Sequence, residues 1–242
     1  MKKNIAILGS TGSIGKNLLS IVKKNKNFFN VILLTANSDY KTLFNQANKF
    51  KVKNLIITDK VCFKILKEKC KKKNINVYNN FDTFNKIFKN KVDYTMNSIV
   101  GFAGLKPTLN IIKYTKQIAI ANKESIICGW NLIKKKLILY KTQIIPVDSE
   151  HFSIWTSLNE LDLNNQNLNN TIQDLYITAS GGPFKNTPVS DFKKIKVNQA
   201  IKHPTWKMGK KISIDSATMM NKIYEFIEAK KIFNLKKKIF QF

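Results

Sequence analysis

The chain has 242 residues, of which 43% are hydrophobic and 24% charged; this is globular composition, long enough for one large domain or two small ones, and it excludes a disordered tail. The net charge of +27 would ordinarily suggest nucleic acid or an anionic membrane, yet all 42 basic residues are Lys, none is Arg, and they are spread along the chain, which reads as drift towards Lys and Asn on solvated faces and not as a nucleic-acid site. No apolar run reaches membrane-spanning length, Ile5 to Leu8 is too short for a secretory segment, and Cys62, Cys70 and Cys128 form no ligand pair and no disulfide framework, so a reducing cytoplasm and no membrane partner are expected.

Residues 4–8 read as a short strand, followed by Gly9-Ser10-Thr11-Gly12-Ser13-Ile14-Gly15 and a helix to about Lys24. Residues 31–35 read as a second strand, 40–50 as a helix and 55–57 as a third strand. Residues 59–72 are expected to be helical, with Val61, Ile65 and Leu66 as the apolar stripe. A short strand near Val77, a helix over 81–88, a strand over 94–97, a helix over 105–114 and a strand over 117–120 come next, then a helix over 126–135 and a strand over 143–147. Strands alternating with helices predict an α/β fold, a Rossmann-like, mostly parallel sheet covered on both faces. Near Pro146 the character changes. Residues 159–170 are polar and Asn-rich, as in a surface insertion; 175–178 is a strand running into Ser180-Gly181-Gly182-Pro183. Residues 199–209 look irregular, 212–214 a strand and 217–232 a helix. The expected division is a nucleotide-binding domain over 1–146 and a partial α+β catalytic domain over 147–242.

Gly9, Gly12 and Gly15 follow the first strand and open a helix. Glycine lets the backbone turn tightly and approach a pyrophosphate, and the helix N-terminus supplies N–H donors; a tight turn without ligand is the alternative. The second strand should deliver ribose-reading residues at Asn37, Ser38 and Asp39. Asp148-Ser149-Glu150-His151 follows a strand, so Asp148 and Glu150 can point into one crevice. Glu225 shares a helix face with Asn221 and Lys222. Three carboxylates without clustered thiolates favour Mg²⁺ or Mn²⁺ over zinc, and unrelated surface acids are the alternative. Ser180-Gly181-Gly182 can form a backbone nest, and Ser216, placed where a helix N-cap would be, together with Asn221 and Lys222 makes a phosphate site or an ordinary cap. His203-Pro204-Thr205-Trp206-Lys207-Met208-Gly209 has the make-up of a lid, or of a loop pinned to the core by Trp206. Lys123, in Ala121-Asn122-Lys123-Glu124-Ser125, follows a strand where a ligand crevice would lie.

Together these runs resemble the 1-deoxy-D-xylulose 5-phosphate reductoisomerase family. The resemblance rests on Gly9 to Gly15, Ala121 to Ser125, Pro146 to His151, Ser180 to Phe184, His203-Pro204 to Trp206, Met208-Gly209, and Lys211 to Lys222 followed by Glu225, in the family's order across essentially the whole chain. It implies a metal-assisted rearrangement of the sugar phosphate to an aldehyde, reduced by hydride from NADPH to 2-C-methyl-D-erythritol 4-phosphate. It also implies that Asp148, Glu150 and Glu225 hold Mn²⁺ or Mg²⁺, and that Lys123 and Ser149 contact the reacting sugar. Ser180, Ser216, Asn221 and Lys222 would bind the phosphate, and His203, Trp206 and Met208 would belong to a closing flap. The cofactor would be contacted by Thr11, Gly12, Ser13, Ile14, Asn37, Ser38, Asp39, Asn122, Glu124 and Gly209. The full-length family is expected to be homodimeric.

Two departures stand out. Asp39 would repel the 2′-phosphate of NADPH and could instead accept from a ribose hydroxyl, as in NAD-preferring sites. The chain ends at Ile239-Phe240-Gln241-Phe242, which reads as the opening of a strand that needs a neighbour, where the family continues into a helical C-terminal domain. An incomplete, weakly active or inactive chain that retains nucleotide binding is therefore the alternative to a working reductoisomerase.

Overall fold

The computed structural model of the chain describes residues 1–160, 168–179, 181–205 and 209–241, leaving aside the side chains of Glu160 and Asn169. It forms two units, Met1–Asp148 and Ser149–Phe242.

The first unit is built on a seven-stranded sheet, in which β1 (Lys3–Leu8), β2 (Phe29–Ala36), β3 (Asn54–Ile57), β4 (Asn76–Tyr78), β5 (Val92–Asn97), β6 (Thr115–Ile120) and β7 (Gln143–Pro146) take the order β4-β3-β2-β1-β5-β6-β7. Every neighbouring pair is parallel. The central strands are near-continuous apolar runs because helices cover both faces, so no position can be given to water. Ile7, Leu8, Leu33, Leu34, Leu55, Ile56 and Ile57 are all fully buried, each contributing about 1.5–3 kcal/mol of transfer free energy. The order reverses between β1 and β5, and parallel strands put all their C-terminal ends on one edge. That edge at the switch point is where such sheets hold ligands.

The helices α1 (Ser13–Lys24), α2 (Tyr40–Phe50) and α3 (Lys60–Cys70) pack their apolar stripes on the sheet. Asp39 and Asp59 start the latter two, accepting from the Thr42 N–H at 3.0 Å and the Cys62 N–H at 2.8 Å. The Cys62 N–H also holds the Asp59 carboxyl below its ordinary pKa. In α3 the expected stripe is only partly right: Leu66 is buried, whereas Val61 is 67% and Ile65 37% exposed. Two apolar stripes compete on this helix. The one through Cys62, Leu66 and Cys70 wins because Phe63 widens it towards the core. The helix over 81–88 is a 3₁₀ turn, Phe81–Thr83, followed by α4 (Phe84–Ile87). Likewise α5 (Leu105–Ile111) tightens into a 3₁₀ turn at Ile112–Tyr114, and α6 is longer than expected, Lys123–Leu139.

The second unit carries α7 (Ser149–Glu160), α8 (Leu168–Thr171), β8 (Leu175–Tyr176), α9 (Val197–Ala200), α10 (Lys210–Ala217), α11 (Met220–Phe233) and β9 (Phe240–Gln241). Leu158, Ile177, Ala229, Phe233, Leu235, Ile239 and Phe240 make its core, with the Phe226 and Phe240 rings 4.8 Å apart in a T-shaped pair. The terminal strand finds its neighbour here, since β9 pairs in parallel with β8. β8 covers only Leu175 and Tyr176 of the longer strand expected, in register with Phe240 and Gln241.

The strand expected over 212–214 is instead the middle of α10. The alternation of Ile212, Ser213 and Ile214 mimics a strand, but the buried member is Ser213, 1% exposed, while Ile214 is 39% exposed. Ser213 Oγ is satisfied by donating to the Gly209 carbonyl one turn back, 3.1 Å away, and Lys211 pairs with Asp215 at 2.6 Å in the same helix. The expected loop over 159–170 falls mostly outside the described residues; Asn159 lies in the last turn of α7 and residues 168–171 form a helical turn. No helix among the described residues is long and apolar enough to cross a membrane.

Candidate functional site

In the first unit the candidate residues gather along the C-terminal edge of the sheet. Gly9 leaves β1 with φ +81°, and a Cβ there would sit 3.0 Å from the Ser98 carbonyl carbon and oxygen, so the turn is restricted to glycine on both counts. Ser98, just past β5, donates its Oγ–H towards the Leu8 and Gly9 carbonyls, at 2.8 and 3.1 Å. Thr11, Gly12, Ser13 and Ile14 follow. Gly12 is the N-cap of α1 and provides no side-chain cap, which leaves the opening N–H groups of the helix to an incoming anion.

Asn37, Ser38 and Asp39 are exposed just past β2. Asn37 Oδ1 accepts from Thr58 Oγ1 at 2.8 Å, and the Asp39 carboxylate is occupied in capping α2. Beyond β6, Asn122 is 4% exposed and donates its amide to the Ile99 carbonyl. Gly104 packs against it so closely that a Cβ would lie 1.9 Å from Asn122 Nδ2. Lys123, also buried, forms an ion pair with Asp148, Nζ to Oδ2 at 2.8 Å. Glu124 follows in the first turn of α6, where an acid suits the helix dipole.

In the second unit, the first turns of α7 and α11 meet around Lys222. Its Nζ is 3.4 Å from Glu150 Oε1, forms a closer ion pair with Glu225 Oε2, and donates to the Thr178 carbonyl. Asn221 donates its amide to Glu225 Oε1, and Ser149 donates to Glu150 Oε2 at 2.7 Å. The Glu225 side chain is 2% exposed and that of Lys222 11%. Two carboxylates that reach one cationic atom are spaced to share a small cation. Their donor set is oxygen alone, which fits Mg²⁺ or Mn²⁺.

His151, to which the sequence assigns no role, is fully buried; its Nε2–H donates to the Glu225 carbonyl at 2.9 Å, and Nδ1 lies 3.7 Å from Glu228 Oε2. Its place in the Asp-Ser-Glu-His run is the one signal that could have singled it out.

Ser216 does not occupy a helix N-cap. It lies in the last turn of α10, and the N-cap of α11 is Met219, with φ 60°. The expectation took α11 to begin three residues too early. The glycine pair still reaches this corner: Gly182, φ +65°, approaches so closely that a Cβ would be 2.9 Å from the Ser216 carbonyl oxygen. Gly209 is the N-cap of α10, and His203 Nδ1 accepts from the Thr205 N–H at 3.1 Å. Ser180, Trp206 and Met208 lie outside the described residues.

Comparison with known proteins bears on both units. A family model described as 1-deoxy-D-xylulose 5-phosphate reductoisomerase matches residues 5–129, and one described as the C-terminal domain of that enzyme matches residues 144–233. The 1-deoxy-D-xylulose 5-phosphate reductoisomerase of Pelagibacter ubique is 59% identical over 235 residues, which are 96% of this chain and 59% of that protein. The protein of the same name from Wolbachia pipientis of Culex pipiens is 44% identical, over 96% of this chain and 58% of that one. Among solved structures, the Zymomonas mobilis enzyme in complex with NADPH superposes with a TM-score of 0.86 at 34% identity, covering 100% of this chain and 61% of that one. A DOX-P reductoisomerase in complex with NADPH, fosmidomycin and magnesium gives 0.88 at 33% identity, over 99% and 60%. The chain thus spans about 59% of the length of the curated relative from Pelagibacter. With a matching glycine loop and parallel sheet in one unit and a carboxylate–lysine cluster in the other, the chain belongs to the 1-deoxy-D-xylulose 5-phosphate reductoisomerase family.

Proposed function

We propose that the chain performs, or contributes the nucleotide, metal and sugar-phosphate sites for, the NADPH-dependent conversion of 1-deoxy-D-xylulose 5-phosphate to 2-C-methyl-D-erythritol 4-phosphate. The observation that carries this reading is the convergence of Glu150 and Glu225 on Lys222, with Asn221 on the same carboxylate. Simple hydride transfer needs no divalent ion, whereas paired carboxylates can hold one that polarises the substrate oxygens during a rearrangement. Residues 1–146 would serve as the nucleotide-binding domain and 147–242 as the catalytic one.

Each residue then has a task. Thr11, Gly12, Ser13 and Ile14 would line the pyrophosphate at the open end of α1. Asn37, Ser38 and Asp39 would face the adenosine ribose, and Asn122, Glu124 and Gly209 would complete the cofactor site. Asp148, Glu150 and Glu225 would hold the divalent ion, with Mn²⁺ and Mg²⁺ both suited to an all-oxygen set. Lys123, buried and cationic, would place its ammonium against a sugar oxygen, with Ser149 beside it. Ser180, Ser216, Asn221 and Lys222 would take the phosphate, while His203 and Trp206 would close over the substrate and exclude water. When bound, NADPH supplies the hydride and the metal polarises the substrate oxygens. A cytoplasmic location and a homodimer of the full-length family complete the proposal.

The decisive assay is NADPH oxidation by the purified 242-residue chain with 1-deoxy-D-xylulose 5-phosphate and Mn²⁺. Substrate- and metal-dependent oxidation that disappears in E225A is the expected outcome. No oxidation from a folded sample, with NADH tried as well, would sink the reading of this chain as an enzyme by itself.

A further inference from the structure

The polar groups of Ser10 are all spent inside the protein. Its N–H donates to the Thr35 carbonyl at 2.8 Å, and its Oγ–H donates to Gln46 Oε1 at 2.7 Å, with the Thr35 carbonyl 3.2 Å away. Its carbonyl accepts from Gln46 Nε2 at 2.9 Å. Ser10 is 0% and Gln46 9% exposed. One neutral amide therefore both donates to and accepts from a single residue of the glycine loop, 36 positions away in sequence. The preceding residue is tied to the same strand, Gly9 N–H to Thr35 Oγ1 at 2.9 Å. From the other side α1 closes the trap: a Cβ on Gly15 would lie 2.5 Å from Ser10 Cα.

Gln46 is also an exception in its own helix. The inward face of α2 is Leu43, Gln46 and Ala47, and a polar side chain there costs free energy unless its amide is fully paired. The same helix begins at Asp39, beside the residues assigned to the ribose. A single rigid element thus touches both ends of the nucleotide site.

We propose that Gln46 is a positioning residue for the nucleotide: its amide holds the Gly9–Gly15 loop at the height that presents the α1 N–H groups to the pyrophosphate. It does not touch the ligand. The inference rests on the nucleotide-binding reading, and it accounts for a buried amide that the reading does not use. Preorganised donors bind an anion without a reorganisation cost, so loosening the loop weakens binding with no ligand contact removed.

The test is Q46M in the 242-residue chain, which keeps length and apolar volume and removes both hydrogen bonds. Two quantities are read at a temperature where the far-ultraviolet circular dichroism of variant and wild type coincide. They are the NADPH dissociation constant by calorimetry and the amide hydrogen exchange of residues 9–15. The expected result is a dissociation constant about tenfold higher and loop exchange faster by a similar factor, with exchange in the sheet strands unchanged. A merely structural amide would speed exchange throughout the unit and leave the dissociation constant alone; that pattern, or no change in either quantity, overturns the proposal. If wild type binds no NADPH, the functional reading fails, and loop exchange still decides whether Gln46 orders the loop. Should Q46M not fold, S10A decides in its place. It removes the hydroxyl's contacts to Gln46 and to the Thr35 carbonyl while keeping the Gln46 Nε2 bond, and should raise both quantities about threefold; wild-type values would overturn the proposal.

Discussion

Gly15 offers the sharpest quantitative test of the nucleotide loop. It lies in α1 with an ordinary backbone conformation, so alanine there carries no penalty from a left-handed φ and its effect is purely steric. A Cβ would stand 2.5 Å from Ser10 Cα, 2.6 Å from Gly9 O and 2.8 Å from Ser10 C. All three are backbone atoms, so no side chain can swing aside. Since carbon atoms rest at about 3.5–4.0 Å, helix and loop must part by roughly 1 Å. Overpacking of this kind costs about 1–3 kcal/mol, and alanine returns up to about 1 kcal/mol of helix propensity. The net destabilisation, about 0–3 kcal/mol, is small enough for G15A to fold. What it loses is position, and a displacement near 1 Å can cost about a hundredfold where geometry matters. G15A is therefore expected to bind NADPH at least about tenfold more weakly by calorimetry, with unchanged circular dichroism. An NADPH dissociation constant in G15A equal to that of wild type would refute the argument that helix and loop touch at Gly15.

Two further outcomes follow from other parts of the first unit. Burial pushes the Tyr94 hydroxyl up from 10.0 to about 12, so the folded state favours its neutral form. The stability it contributes is whole below pH 10 and drains away as pH rises through about 12, where the folded and unfolded forms ionise alike. Y94F should remove the tyrosine ionisation step near pH 12 from an absorbance titration; a Tyr94 that ionises at its ordinary 10.0 would disprove the shift. Asp39 caps α2 through the Thr42 N–H, a task that asparagine performs equally well. D39N should therefore keep the fold and, by removing one negative charge near the adenosine ribose, tighten NADPH more than NADH. If the two affinities shift together, Asp39 does not face the 2′ position.

Much of the fold and site was legible from residues alone, for identifiable reasons. The strands of the sheet are buried on both faces, so they appear as uninterrupted apolar runs such as Ile5 to Leu8 and Leu55 to Ile57, which no amphipathic helix imitates. Gly9 declares its turn because only glycine tolerates its φ beside the Ser98 carbonyl. Glu225, Lys222 and Asn221 could be placed on one face because helical spacing is local. The errors lie where a local pattern admits two answers. Ile212 and Ile214 alternate like a strand, yet Ser213 faces inward, since a serine can satisfy its hydroxyl on the Gly209 carbonyl of its own helix. The same ambiguity misplaced the start of α11 and made Ser216 an apparent N-cap.

The sequence by itself determined the alternation of strands and helices, the glycine loop and the identity of the acidic, amide and lysine side chains available for chemistry, because each is written within a few neighbouring residues. Only the tertiary structure decided which stripe of α3 faces inward, that the Asp39 carboxylate is spent on a helix cap, that Lys222 joins Glu150 to Glu225, and that Gln46 grips Ser10. The Lys222–Glu150 and Gln46–Ser10 contacts close long loops of chain, and their partners are chosen by packing and by the need to pair every buried polar group, neither of which leaves a mark on local sequence.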